Sequence, residues 1–102
     1  MDMRRIMEQA QKMQKQLKKV EQELQEQVYE GNSGGSEGVT VKVNGNNDAL
    51  EVNIHDDLLD KDNKDMLQDM ILLAFNNAVE QARVDREEKM GAITQGVTIP
   101  GL

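Results

Sequence analysis

The sequence predicts an α+β fold in which a long N-terminal helix, a small antiparallel β-sheet and a long C-terminal helix follow one another along the chain. Two observations support this prediction. Apolar residues recur at helical spacing near both ends of the chain, and between them lie two short segments in which aliphatic residues alternate with polar ones. With 102 residues, the chain is long enough for a single small domain over residues 1–102.

The first predicted element is a helical arm over residues 1–29. Its apolar residues recur in alternating steps of three and four, which is the spacing of a heptad seam. A lone amphipathic helix of about 26 residues would be about 40 Å long and needs a partner surface to bury such a seam. The seam residues are Met3, Ile6, Ala10, Met13, Leu17, Val20 and Leu24.

The middle of the chain predicts a β-hairpin over residues 39–55. A Gly-rich stretch over residues 30–38 precedes it and favours a flexible connector. The segments VTVKVN and ALEVNI each place alternate aliphatic residues on one face, and NGNNDA between them is typical of a turn. Residues 28–30 are a candidate for a short additional strand.

The last predicted element is a helix over residues 60–90, with Asp60 or Asp62 as its N-cap and Gly91 ending it before a flexible tail over residues 91–102. Its first half is apolar on more than one side, which is expected of a helix buried against both the hairpin and a second subunit. The predicted dimer-interface residues are Met66, Leu67, Met70, Ile71, Ala74 and Phe75.

Charge is strongly segregated along the chain. The net charge is −7, yet residues 1–20 carry six basic and two acidic side chains. The basic residues Arg5, Lys12, Lys15 and Lys19 recur at steps of seven, three and four and therefore share one helix face. Such a stripe can follow DNA phosphates, or it can simply keep a long helix soluble.

No motif in the chain indicates catalysis, a metal site or a cofactor. His55 stands beside Asp56 and Asp57, but zinc and triad chemistry require further ligands or a nucleophile, so we interpret it as a strand-exit loop residue. The absence of cysteine fits a reducing cytosol. No stretch approaches the roughly 20 apolar residues of a membrane span. We expect neither enzyme activity, nor a small-molecule substrate, nor membrane insertion.

Four blocks of the chain resemble the YbaB/EbfC family of bacterial nucleoid-associated proteins. They are AQKMQKQLKKVEQEL at residues 10–24, the Gly-rich connector leading into VTVKVNG, DDLL before DMLQDMILLAFNNAVEQA, and EKM followed by GVTIPGL. The resemblance covers nearly the whole chain and rests on the order and spacing of these blocks.

The resemblance implies a cytoplasmic, nucleoid-associated homodimer whose helical arms project like tweezers and bind duplex DNA, mainly through phosphates. It also implies an influence on DNA conformation, nucleoid organisation or gene expression. The implied DNA contacts are Arg4, Arg5, Lys12, Lys15, Lys18 and Lys19, with Arg83, Arg86 and Lys89 as weaker additions among acidic neighbours.

A rival reading of the residues is a prefoldin-like chaperone or coiled-coil adaptor, whose arms would hold apolar protein. Both helices of such arms should carry matching heptads. The last predicted helix is broadly apolar in its first half and charged in its second, which suits a buried dimer core better than a free coiled-coil arm.

Overall fold

The computed structural model describes residues 2–35 and 37–94 and confirms the predicted α+β fold. Three antiparallel strands form one sheet in the order β1-β2-β3. The two long helices flank this sheet in sequence, and two short 3₁₀ turns, Asp56–Leu58 and Lys61–Asn63, lead into the second helix. The main elements are α1 (Met3–Glu26), β1 (Val28–Asn32), β2 (Val39–Asn44), β3 (Ala49–Ile54) and α2 (Lys64–Thr94).

Helix α1 makes the molecule long and thin. The Asp2 carboxylate caps its start by accepting a hydrogen bond from the Arg4 N–H at 3.1 Å. The helix ends at Glu26, three residues before the end of the predicted arm, because Gln27 adopts an extended conformation. The molecule measures 70 × 22 × 17 Å, with a radius of gyration of 19.8 Å. A compact domain of this size would have a radius of gyration of about 13 Å, so much of α1 projects from the body.

Strand β1 is longer than the candidate strand at residues 28–30. It continues through Gly31 and Asn32, which pair with Val41 and Thr40 of β2. The predicted connector over residues 30–38 is therefore too long at its N-terminal side. The remaining loop is closed where the Ser33 hydroxyl accepts a hydrogen bond from the Val39 N–H at 2.9 Å.

The core lies between α2 and the first two strands. Val39, Val41 and Val43 of β2 are completely buried there, and burial of each such side chain contributes about 1.5–3 kcal/mol. Helix α2 presents its small residues to the sheet, so it can approach the strands closely. The small residues are Ala74, Ala78 and Ala82, all buried.

Gly31 of β1 marks the closest approach of the helix to the sheet. A Cβ at this position would overlap the backbone of Ala74 and Ala78. A strand residue with any side chain would therefore push α2 away from the sheet. This contact explains why a glycine lies inside a strand, where its flexibility is otherwise unfavourable.

Both ends of α2 differ from the prediction. Asp60 caps the preceding 3₁₀ turn, where its carboxylate accepts a hydrogen bond from the Asp62 N–H at 2.9 Å. The α-helix itself begins at Lys64, and it continues through Gly91 to Thr94. The prediction that Gly91 ends the helix is wrong, because this glycine keeps helical conformation. Of the predicted flexible tail, residues 91–94 are helical and residues 95–102 lie outside the described residues.

Replacing Gly31 with alanine tests the close packing of α2 on β1. We expect Gly31→Ala to lower the free energy of unfolding by about 1–3 kcal/mol, as overpacking typically does, in a urea titration followed by circular dichroism. Gly91→Ala is the matched control, because a Cβ there meets no atom within 4 Å. It should raise stability by up to about 1 kcal/mol. Equal effects of the two substitutions would contradict the packing argument.

Candidate nucleic-acid interface

The basic side chains of α1 lie on the side of the helix opposite its apolar seam. If the seam residues are assigned to heptad positions a and d, every α1 cation falls at position b, c or f. All of these side chains are exposed. We define this surface as the basic face of α1, comprising Arg4, Arg5, Lys12, Lys15, Lys18 and Lys19.

The basic face is a regular linear array. Arg5, Lys12 and Lys19 are spaced seven residues apart, so at 1.5 Å per residue they are separated by about 10.5 Å along the helix. The array from Arg4 to Lys19 extends over about 22 Å. Glu8 is the one acidic residue between them. Among the described residues, no ion pair includes a cation of this face.

The three cations of α2 predicted to contact DNA are all paired with carboxylates. Arg83 donates to Glu80 and Glu87, the latter at 2.6 Å. These hydrogen bonds raise the pKa of Arg83 and lower that of Glu80. Lys89 contacts Asp85 at 3.0 Å. A phosphate approaching these cations also meets their carboxylates, so their net attraction for DNA is small.

Arg86 serves a different purpose, because it joins the two helices. Its guanidinium donates to both carboxylate oxygens of Glu21 on α1, one of them at 3.0 Å. These hydrogen bonds lower the pKa of Glu21 and raise that of Arg86. Nearby, Leu24 is buried, and a Cβ at Gly45 would overlap its carbonyl. The base of α1 is thus fixed to the body, and the basic face extends from it.

Tyr29 forms a polar contact between the sheet and α2 that the sequence did not reveal. Its hydroxyl donates to the Asp85 carboxylate at 2.6 Å. Burial raises the pKa of Tyr29 to about 12, and the hydrogen bond to the carboxylate adds to this effect. The same hydrogen bond, together with Lys89, lowers the pKa of Asp85. The two residues are 56 positions apart, so no local pattern could have linked them.

An uncovered apolar surface lies beside α2, along β3. Leu50 and Val52 are 53% and 48% exposed. Val52 pairs with Val41 and therefore faces the same side of the sheet as the buried valines. Helix α2 packs on β1 and β2, which leaves this part of β3 open. Sequence alternation correctly identified the apolar side of β3 but could not show that the helix stops short of it.

The α2 side of this surface begins at Leu72, which is 61% exposed. Leu72 lies seven and eleven residues before Val79 and Arg83, which line a cavity with Gly45 at the β2–β3 turn. Residues at this spacing share one helix flank, so Leu72 faces the β3 side. We define the β3 face as Leu50, Val52 and Leu72.

The six residues predicted to form the dimer interface differ in how deeply they are buried within the single chain. Ala74 is fully buried under Gly31, so it belongs to the core of the single chain. Met66 is half-exposed. The remaining four are partly buried and pack against the core, and they are Leu67, Met70, Ile71 and Phe75.

The described part of the chain has no cluster of metal-binding side chains and no helix that could span a membrane. Within residues 2–35 and 37–94, no three His, Cys, Asp or Glu side chains come together around a common point. The imidazole Nδ1 of His55 instead accepts a hydrogen bond from the Asp57 N–H at 3.2 Å, capping the first 3₁₀ turn. Neither helix, over the same residues, has an apolar stretch long enough to cross a membrane.

Comparison with known proteins places the chain among bacterial relatives. Residues 1–97 match the model of the YbaB/EbfC DNA-binding family. A nucleoid-associated protein of Clostridium novyi is 42% identical over 102 residues, which cover 100% of this chain and 89% of that protein. A nucleoid-associated protein of Chloroflexus aurantiacus is 39% identical over 97 residues, covering 95% of this chain and 96% of its own.

The fold also matches a solved structure. The crystal structure of the uncharacterized protein HP0035 from Helicobacter pylori superimposes with a TM-score of 0.73. The match covers 91% of this chain and 97% of that chain, at 22% sequence identity. At this level of identity the likeness concerns the fold alone.

The Tyr29–Asp85 contact predicts that the Tyr29 phenol loses its proton at an unusually high pH. Because folding raises the tyrosine pKa, the contact stabilises the protein fully below the ordinary pKa of about 10 and loses this contribution as pH rises through about 12. Tyr29 is the only tyrosine and there is no tryptophan, so phenolate absorbance reports this group alone. Asp85→Asn should lower the midpoint while burial keeps it above the ordinary value. A midpoint that Asp85→Asn leaves unchanged would contradict the contact.

Proposed function

Since the chain belongs to the YbaB/EbfC DNA-binding family, we propose that it binds duplex DNA as a homodimer in the nucleoid of the bacterial cytoplasm. The basic face of α1 makes the contact, mainly to phosphates. The observation that carries the proposal is that this face holds six exposed cations, none of which is ion-paired within the described residues. Each is therefore free to replace a counterion on the DNA backbone.

The geometry of the face supports phosphate contact on a duplex. Arg5, Lys12 and Lys19 follow one another at intervals of about 10.5 Å along α1. This interval is close to the roughly 12 Å width of the major groove of B-DNA. Lysine predominates among the cations, and as a point charge it recognises phosphate without reading sequence. No aromatic side chain lies between residues 2 and 28, so α1 lacks the stacking platform of single-strand binders.

The separation of positive and negative charge along the chain orients the protein relative to DNA. Residues 21–102 carry six basic and 17 acidic side chains, so the body repels the polyanion that the arm attracts. The ion-paired cations of α2 make at most weaker contributions, as expected for Arg83, Arg86 and Lys89. DNA is thereby held along the arms and away from the sheet.

A second copy of the chain is the proposed cover for the β3 face. The outer edge of β1 is partly closed, because the Gln81 side chain donates to the Glu30 carbonyl at 2.9 Å. Within residues 2–35 and 37–94, no side chain closes the outer edge of β3 in this way, and the apolar residues of β3 continue onto α2. The exposed parts of Met66, Leu67, Met70, Ile71 and Phe75 extend the interface.

Dimerisation gives each particle two basic faces, as in the tweezer-like assembly that the family resemblance implies. Two arms fixed to one rigid body hold a duplex at two places. The dimer alters DNA conformation if the duplex follows a different path between the two arms than it does when free. Through this change in DNA conformation, the protein influences nucleoid organisation or gene expression.

Charge reversal on the arm tests the DNA contact. Replacing Lys12, Lys15 and Lys19 with Glu should abolish binding in an electrophoretic mobility-shift assay while leaving helicity unchanged. The matched control replaces Lys42, Lys61 and Lys64 with Glu, which changes the net charge equally but lies outside α1. It should retain most of the affinity. Equal losses in the two variants would show that overall charge, and not the basic face, determines binding.

A single charge in the β3 face tests the dimer. Val52→Asp should convert the protein from a dimer to a monomer in light scattering, because an unpaired carboxylate would be buried between the subunits. Asn53→Asp introduces the same group at the next position, whose side chain points to the opposite face of the sheet, and should leave the dimer intact. A monomeric wild type, or a dimer unaffected by Val52→Asp, would contradict the proposed interface.

A further inference from the structure

The tip of α1 carries an apolar surface separate from both the basic face and the β3 face. Met3 is 68% and Ile6 45% exposed, and Ala10 is exposed as well. These residues continue the heptad seam whose other end is buried against the body at Leu24. We define Met3, Ile6 and Ala10 as the seam tip.

Helix α2 covers only the base of the seam. Ala92 and Ile93 in its last turns line one cavity together with Gln16, Lys19 and Val20 of α1. The seam residues nearest this contact, Leu17 and Val20, are partly buried accordingly. Toward the N-terminus, the seam tip extends past the end of α2 as the structure describes it, which leaves an amphipathic helix face without a cover.

The residues that flank the seam indicate what covers it. In coiled coils, charges at positions e and g select the partner. Between residues 3 and 16 these positions hold no charge at all, since they are Met7, Gln9, Gln14 and Gln16. All the cations of the same segment lie at positions b, c and f. Two identical segments can therefore approach each other without like charges meeting at the contact.

The base of the same helix differs in this respect. There positions e and g are occupied by Glu21 and Glu23, and Glu21 is engaged by Arg86 of the same chain. Positions e and g of α1 are thus charged at the base, where Glu21 contacts a basic side chain, and neutral at the tip, where the seam residues are exposed. The surface of the tip is suited to a copy of itself and not to a charged protein.

We propose that the seam tip pairs with the seam tip of a chain in a neighbouring dimer, forming a short two-helix coiled coil. The basic faces point away from this contact, so paired arms keep their cations available for phosphates. Pairing links dimers that lie side by side on one duplex, or on two duplex segments brought together.

The pairing is weak in the free protein and strong on DNA. Residues 3–14 form a helix segment of only about 18 Å, less than two heptads, and both arms carry excess positive charge. Phosphates neutralise that charge, and attachment to the same DNA raises the effective concentration of the tips. DNA binding is therefore cooperative. This DNA-dependent part rests on the proposed function, whereas the pairing itself does not.

Cysteine cross-linking tests the contact directly, because the chain contains no cysteine of its own. Ile6→Cys in the full chain, treated with a short bis-maleimide, should form linked chains, and more of them when duplex DNA is present. The linked particle should have at least twice the native mass of the dimer. Glu8→Cys lies at the same tip on the opposite side of α1 and should remain unlinked.

Three results would overturn the proposal: equal linking at positions 6 and 8, no linking at position 6 on DNA-bound protein, or linking that leaves the native mass unchanged. Selective linking at position 6 in concentrated protein that binds no DNA would support the pairing and contradict only the proposed function.

The Hill coefficient of DNA binding gives a second test of the seam tip. The double substitution Met3→Gln with Ile6→Gln should reduce this coefficient to unity, and Gln11→Ala, at an outer position of α1, should not. A Hill coefficient unchanged by the Gln substitutions would contradict cooperativity through the seam tip.

Discussion

The close approach of α2 to β1 is the contact on which the rest of the structure depends. It requires a residue without a side chain at Gly31 and small residues on the helix, with Ala74 and Ala78 directly opposite. Because the helix is seated over β1 and β2, the valines of β2 are buried and β3 is left uncovered. The same placement brings Asp85 within reach of Tyr29, and Arg86 within reach of Glu21. The position of α2 thus determines both where an apolar surface remains and where α1 is held.

The second constraint is the separation of charge and apolar surface around α1. The heptad seam faces the body at the base and is open at the tip, whereas the cations lie on the outer side throughout. A single helix therefore carries two separate surfaces, for which we propose DNA phosphates and another protein chain as partners. Fixing its base through Leu24 and Glu21 gives the basic face a defined direction relative to the acidic body. In the proposed complex, attraction at the arm and repulsion at the body act on a duplex together.

Local periodicity was sufficient to predict both helices, the hairpin, the seam and the basic face, because spacings of 3.6 and 2 residues report directly on helix and strand faces. The pairs of Arg83 with Glu80 and Glu87 were also readable as helical spacings. Gly31 was interpreted as part of a connector because a glycine in sequence suggests a loop, and only the contact with α2 explains it.

Contacts between residues distant in sequence could not be predicted. Neither the Tyr29–Asp85 hydrogen bond nor the Glu21–Arg86 ion pair has a local signature. The exposure of Val52 likewise depends on how far α2 reaches across the sheet. For the candidate site, the sequence identified the cations of both helices and ranked those of α2 lower because of their acidic neighbours, but it could not show which carboxylates they contact. The structure distinguishes the open cations of α1 from the paired cations of α2.

The most direct test of the central claim, that the open cations of α1 hold duplex phosphates, is the salt dependence of binding. Fluorescence anisotropy of a labelled duplex, titrated with the wild-type protein at several salt concentrations, gives the slope of log affinity against log salt. The six cations of one arm predict a slope of about −5, and engagement of both arms a steeper one. A slope near zero, or no duplex binding even at low salt, would contradict the account.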